Sequence, residues 1–126
     1  LRAQSISCRT EFGDAREIHA DPDMLRRALV NLVGNAADAM PNGGTLSVSA
    51  GPRTDGRYSV VLEDTGIGIP AEGLERIFEP YFTTKAGGSG LGLPTARRLI
   101  EEHAGRLEVH SETGRGTDFV VSLPRA

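Results

Sequence analysis

The segment EDTGIGIP, Glu63 to Pro70, sets one carboxylate, Asp64, at the end of an apolar run and follows it at once with Gly-x-Gly. Asp-Thr-Gly opens an aspartic-protease half-site, yet alternating glycines after a strand also suit a nucleotide pocket. The protease reading needs a small residue next and two such loops sharing a proton across a dimer. Here Ile67 follows Gly66, and two long helical patterns elsewhere do not belong in an almost all-β protease subunit. A Walker phosphate loop is excluded, because no Gly-rich stretch ends in Gly-Lys-Ser/Thr. A dinucleotide fingerprint lacks its third glycine, since Ile69, Pro70 and Ala71 follow Gly68. Besides a plain strand-to-loop turn, a recognition role remains. A carboxylate at a strand end can accept from an exocyclic amine, with glycines letting a flat ring approach the backbone.

Two further clusters carry chemistry. Asn31, Asn35 and Asp38 fall at i, i+4 and i+7, within about 60° on a helical wheel. They form a polar stripe at the rim of an apolar face. A solvated helix edge would look like this, and so would a divalent-cation or phosphate site. An amide oxygen can take one place on Mg²⁺ while phosphate oxygens and waters fill the others. The stretch KAGGSGLGLP places glycines at 87, 88, 90 and 92 before a helix. Backbone N–H groups and the positive end of the helix dipole would there meet an anion; a flexible hinge is the plain alternative. Lys85, after Thr83 and Thr84, offers a positive charge near phosphates or is simply solvated. Taken together, the three clusters describe an ATP site without a Walker motif.

The elements that must position these residues follow from periodicity. SISCRTEFG alternates and reads as a strand, and REIHA is a shorter candidate. Asp21-Pro22 supplies an N-cap and a proline at the first helical position. Leu25, Leu29, Leu32, Val33, Ala36 and Met40 then recur at helical spacing up to the stop signal PNGG. TLSVSAG and RYSVVLED form a hairpin around Asp55-Gly56. A short helix over residues 71–77 precedes a long aperiodic loop. Pro94 opens a second helix, closed by Gly105 as its C-cap. RLEVHSE, the turn TGRG and TDFVVSLP make a terminal hairpin. This order predicts a two-layer α/β (α+β) sandwich: a mixed, mostly antiparallel sheet of about five strands, covered on one face by about three helices.

At 126 residues the chain, 1–126, reads as one domain. With 14 Lys and Arg against 17 Asp and Glu, its net charge of −3 argues against a nucleic-acid face. No apolar run approaches the length of a membrane span, and the start at Leu1 reads as that of a fragment. The single cysteine, Cys8, excludes an internal disulfide and fits a reducing compartment. It lies in an alternating segment with no base beside it and reads as a small buried hydrophobe.

On these residues the chain resembles the catalytic and ATP-binding domain of sensor histidine kinases, in the GHKL ATPase/kinase superfamily. NLVGNAADAM is similar to the N box, EDTGIGIP to the first Gly box, FEPYFTTK to the F box and GGSGLGLPTARRLIEEHAG to the second Gly box. GRGTDFVVSLP resembles the closing hairpin. NAADAMPNGG and FEPYFTTK look most like the nitrogen-regulation and oxygen-sensing branch.

The resemblance implies roles position by position. Asn35 would give its side-chain oxygen to Mg²⁺, with Asn31 supporting phosphate or metal one turn earlier. Asp64 would accept from the adenine amine and stay charged, with Gly66, Gly68 and Ile69 forming that wall and Thr117 assisting through water. Gly88, Ser89, Gly90, Leu91, Gly92 and Leu93 would wrap the triphosphate from a mobile lid over residues 79–91, anchored by Phe78 and Phe82. Asp38 stands where many members carry a phosphate-touching Lys or Arg, which leaves Lys85 to supply charge. Superfamily hydrolases carry a Glu four residues before the metal Asn; Asn31 there cannot act as a general base. ATP would then be held for transfer of its γ-phosphoryl group to a histidine on a separate dimerisation domain.

None of His19, His103 and His110 is followed by the acidic residue expected of the phosphoacceptor, so packing or surface roles are expected of them. The resemblance further implies a monomeric cytoplasmic fragment of a homodimeric parent, which is itself membrane-anchored or not, and a response regulator downstream. Two rival readings stay open: a GHKL-type Ser/Thr protein kinase or anti-sigma factor, and a nucleotide-binding module that works by protein contact without kinase activity.

Overall fold

A computed structural model describes residues 6–12, 21–80, 82 and 92–124. The candidate strand REIHA, His19 and most of the glycine-rich loop lie outside them. The described elements run β1 (Ile6–Phe12), α1 (Pro22–Asp38), β2 (Gly44–Pro52), β3 (Tyr58–Asp64), α2 (Ala71–Leu74), α3 (Gly92–Glu102), β4 (Arg106–Glu112) and β5 (Gly116–Leu123). They form one five-stranded sheet in the order β1-β2-β3-β5-β4. Only β1 and β2 pair in parallel; the other three ladders are antiparallel. That is the sandwich expected, and the parallel pair has a simple cause. Strands joined through an intervening helix run the same way, whereas those joined by tight turns must reverse.

Asp21 caps α1 as expected, its Oδ1 accepting from the backbone N–H of Asp23 (3.0 Å) and Met24 (3.3 Å). Pro22 occupies the first turn, where its missing N–H has no partner to lose. Ala28, Leu32 and Ala36 recur along one face and are buried. Val33, read as part of that face, is 40% exposed instead, beside Val30 at 62%. One residue past Leu32 is a turn of about 100° around the helix, enough to leave the core. The helix stops at Asp38 rather than Met40, with the Ala39 N–H shared between the Asn35 and Ala36 carbonyls.

On the sheet, side chains stack in rows because residues opposite one another share a face. Ala50, Val60, Val121 and Leu107 make one row; Val48, Leu62, Phe119 and Val109 make the next. α1 and α3 pack on each other and contact β3 and β4 respectively. Together these elements enclose a core whose largest buried side chains include Phe119, Leu32, Met40, Leu99 and Ile100.

Four details differ from the sequence reading. Cys8 is exposed, because β1 is an edge strand on which Ser7, Cys8, Arg9 and Thr10 are all exposed. α2 ends at Leu74, beyond which the chain continues as single turns from Arg76 N to Gly73 O and from Glu79 N to Arg76 O. α3 begins at Gly92, which puts Pro94 third in the helix, still within the turn that needs no N–H. Its other end is a Schellman cap: the Gly105 N–H reaches the Ile100 carbonyl and the Ala104 N–H that of Glu101. Ala104, not Gly105, takes the left-handed position, at φ 58°. Gly105 is small for another reason. A Cβ there would lie 2.8 Å from the Ser122 carbonyl oxygen and from Leu123 Cδ2.

Candidate functional site

The rows of the sheet change character at one end. After the apolar row through Leu62, Phe119 and Val109 comes Leu46, opposite Asp64, with Thr117 and Ser111 opposite one another beyond. Period two makes Asp64, Thr117 and Ser111 face the same side as the core. The sequence therefore places three polar groups where the strands would otherwise continue the apolar face.

Asp64 is 6% exposed and Thr117 2%. Asp64 Oδ1 accepts the Gly66 N–H at 2.8 Å and the Thr117 N–H at 3.2 Å. No described residue donates to Oδ2. Burial pushes the Asp64 carboxyl above its ordinary value; the N–H groups of Gly66 and Thr117 oppose that rise, and Asp118 adds to it. The carboxylate is thus locked in place through one oxygen, and the other is left to accept.

The loop after Asp64 is tied down on both sides. The Ile67 N–H binds the Ala39 carbonyl at the end of α1, and the Gly114 N–H binds the Ile67 carbonyl. The glycines serve this packing, a duty additional to the expected one of letting a flat ring approach. A Cβ on Gly66 would lie 2.5 Å from the Ala39 carbonyl oxygen, and one on Gly68 would run into the Glu112 carbonyl. Gly68 also sits at φ 77°, which a side chain disfavours. Ile67 stays 63% exposed at the tip between them.

Asn31 and Asn35 are half-buried at the rim of α1, as the stripe requires, and Asp38 is exposed. The point where a side chain would begin on Gly92 lies 3.7 Å from Asn31 Oδ1. The fold thus sets the asparagine helix against the start of α3, which residues 83–91 precede. Leu93 packs against the core, as do Ile69, Phe78 and Phe82. Arg97 of α3 lies over the Phe78 ring at 5.0 Å, and Arg76, in the turn after α2, over Phe82 at 4.5 Å, which pins this segment from both sides. Lys85, Gly88, Ser89, Gly90 and Leu91, with the rest of the proposed lid, lie outside the described residues apart from its first positions.

The sequence reading missed Ser111. Its Oγ takes the Ile69 N–H at 2.8 Å, donates to the Gly116 carbonyl at 3.0 Å and lies 2.8 Å from Thr117 Oγ1. A signal existed. In the alternation Leu107, Val109, Ser111, a polar residue falls on an inward position. Thr65 was missed too; its hydroxyl accepts the Thr45 N–H at 3.0 Å and so fastens the loop to β2.

The family model described as "Histidine kinase-, DNA gyrase B-, and HSP90-like ATPase" matches residues 20–126. The chain belongs to this ATPase family. Sensor histidine kinase ZraS of Salmonella typhimurium is 45% identical over 109 residues, 86% of this chain and 23% of that protein. Sporulation kinase E of Bacillus subtilis is 39% identical over 111 residues, 88% of this chain and 15% of that protein. The chain therefore spans less than a quarter of these relatives. Among solved structures, the mycobacterial sensor histidine kinase MprB superposes with a TM-score of 0.84 at 31% identity, covering 95% of this chain and 82% of that one. Full-length ShkA in complex with AMPPNP gives 0.85 at 32%, covering 96% and 26%. Among the described residues, no helix of this ATPase-family chain is long and apolar enough to cross a membrane.

Proposed function

We propose that residues 1–126 form a catalytic and ATP-binding domain that binds Mg·ATP and donates its γ-phosphoryl group to a histidine on a separate dimerisation domain of the same parent. The observation that carries the reading is Asp64, held by two backbone N–H groups through Oδ1 with Oδ2 left as an acceptor beside Gly66 and Gly68. An exocyclic amine satisfies that oxygen. Asn31 against Gly92 supports the other half, since it brings an amide next to the segment proposed to hold the phosphates. ShkA, at 32% identity, has been solved with the ATP analogue AMPPNP.

The residues fit a magnesium ion carried in by the nucleotide. Among the described residues no three His, Cys, Asp or Glu side chains gather into a cage. Mg²⁺ keeps waters and substrate phosphates as most of its ligands and needs few protein oxygens. Asn35 would provide one and Asn31 would steady the phosphate; when bound, the ion neutralises phosphate charge. Asn31 carries no basic group, so the site positions ATP and activates no water. Phosphoryl transfer rests mainly on such positioning and charge neutralisation. Lys85 is assigned a phosphate contact, and Gly88, Ser89, Gly90, Leu91, Gly92 and Leu93 the wrapping of the triphosphate. The parent is read as a homodimer working in the cytoplasm with a response regulator.

The test is transfer in trans. The chain is mixed with a dimerisation domain carrying a phosphoacceptor histidine and with γ-labelled ATP. Label should reach that histidine only when both proteins and Mg²⁺ are present. Label on serine or threonine, or ATP binding without transfer to any such domain, would overturn the kinase assignment.

A further inference from the structure

We propose that Ser111 is a positioning residue that fixes the direction of the Thr117 hydroxyl and so sharpens the choice of adenine over a 6-oxopurine; the inference rests on the nucleotide reading above. Ser111 Oγ has one hydrogen and two lone pairs. The Ile69 N–H can only donate, so it takes one lone pair at 2.8 Å. The Gly116 carbonyl can only accept, so it takes the Ser111 hydrogen at 3.0 Å. One lone pair of Ser111 is left facing Thr117 Oγ1 at 2.8 Å, and Thr117 must fill it with its only hydrogen.

That assignment leaves Thr117 without a proton to give. Its hydroxyl can only accept, either from an N–H group or from a water that turns a hydrogen toward it. Asp64 Oδ2 accepts as well, and the Thr117 backbone N–H is already spent on Asp64 Oδ1 at 3.2 Å. The polar end of the sheet therefore presents acceptors alone. An exocyclic amine at the purine 6-position meets them favourably, whereas a carbonyl there faces lone pairs. Without Ser111, the Thr117 hydroxyl is free to rotate and donate, and a 6-carbonyl gains a partner.

Ser111 has a structural duty too, since it holds the Ile69 N–H within the first Gly box. The two duties separate by experiment. Calorimetry measures Mg·ATP and Mg·ITP affinities for the 126-residue chain and its Ser111→Ala, Ser111→Cys and Ser111→Thr variants. ITP exchanges the 6-amine for a 6-carbonyl. Ser111→Ala should narrow the ATP-to-ITP preference roughly 3- to 10-fold, the weight of one neutral hydrogen bond. Ser111→Cys, close in shape but weak in hydrogen bonding, should narrow it in the same direction even if the alanine variant folds poorly. Ser111→Thr, which keeps the hydroxyl, should restore it. Equal weakening of both nucleotides, or an unchanged ratio in the Ala and Cys variants, overturns the positioning role. Failure of the unmodified chain to bind ATP overturns the nucleotide reading and this inference together.

Discussion

Replacing Asp64 with Asn changes one atom of consequence. The Asn Oδ1 can still accept the N–H groups of Gly66 and Thr117, now 2.8 and 3.2 Å from the carboxylate. The amide nitrogen, however, puts a donor where Oδ2 was. Folding should survive, and the variant should gain stability at neutral pH, because the buried charge is gone. The sign follows from the raised pKa of Asp64. Below the unfolded-chain value both states hold the proton and burial of the carboxyl costs nothing extra. As pH rises toward the folded value, the unfolded chain sheds its proton first and stability falls; above the folded value the loss is complete. Asp64→Asn should abolish that part of the pH dependence. Asp64→Ala differs sharply, since it strands two buried donors at about 1–3 kcal/mol each, some 2–6 kcal/mol in all.

Binding should move the other way. A hydrogen bond to a charged group is worth about 1.5–3 kcal/mol, so Asp64→Asn should weaken ATP about 10- to 150-fold. GTP should weaken far less, because its 6-carbonyl can accept from the new amide. Melting curves across acid to neutral pH, with titrations of both nucleotides, check each part. An Asp64→Asn variant that folds normally and still prefers ATP over GTP as before would refute the reasoning. So would loss of the fold, because Oδ1 would then not be interchangeable with an amide oxygen.

Asn35→Ala should remove the gain in ATP affinity that Mg²⁺ provides while the fold persists; titrations with and without Mg²⁺ decide it, and an intact Mg²⁺ effect would end the metal role of Asn35. Ala104→Gly should stabilise the chain by about 0.5–1 kcal/mol, the left-handed strain relieved less the entropy glycine adds to the unfolded chain, read as a higher denaturation midpoint. His103 Nδ1 lies 2.6 Å from the Leu99 carbonyl, which can only accept, and its Nε2 accepts the Asp21 N–H at 2.9 Å. Long-range ¹⁵N spectra should therefore show the neutral Nδ1–H tautomer. His103→Ala should cost about 1 kcal/mol, measured by chemical denaturation, by untying the start of α1 from the end of α3.

The order of elements was legible in the sequence because periodicity is local. Asp21-Pro22 marked the start of α1, Asp55-Gly56 the hairpin, and the alternation of β4 and β5 a second one. Asp64 stood out as a carboxylate ending an apolar run. Less visible were features whose cause lies across the fold. Cys8 alternates like a buried strand residue, but only the sheet order shows that β1 is an edge. Val33 fits the apolar spacing of α1, yet the direction from which the sheet and α3 approach leaves it exposed. Glycine 105 looked like a cap by residue type, while the backbone gave that geometry to Ala104.

By itself, the sequence determined the kinds of group available and the elements that carry them: an acceptor at a strand end, amides one helical turn apart, glycines where the chain must bend. Only the tertiary structure decided how those groups divide their hydrogen bonds. Strand register brings Ser111 to Thr117, and the packing of the loop between α1 and the β4–β5 turn brings Ile69 to Ser111. A hydroxyl has one proton wherever it stands, so its role is set by its neighbours, and these lie up to 42 positions away along the chain.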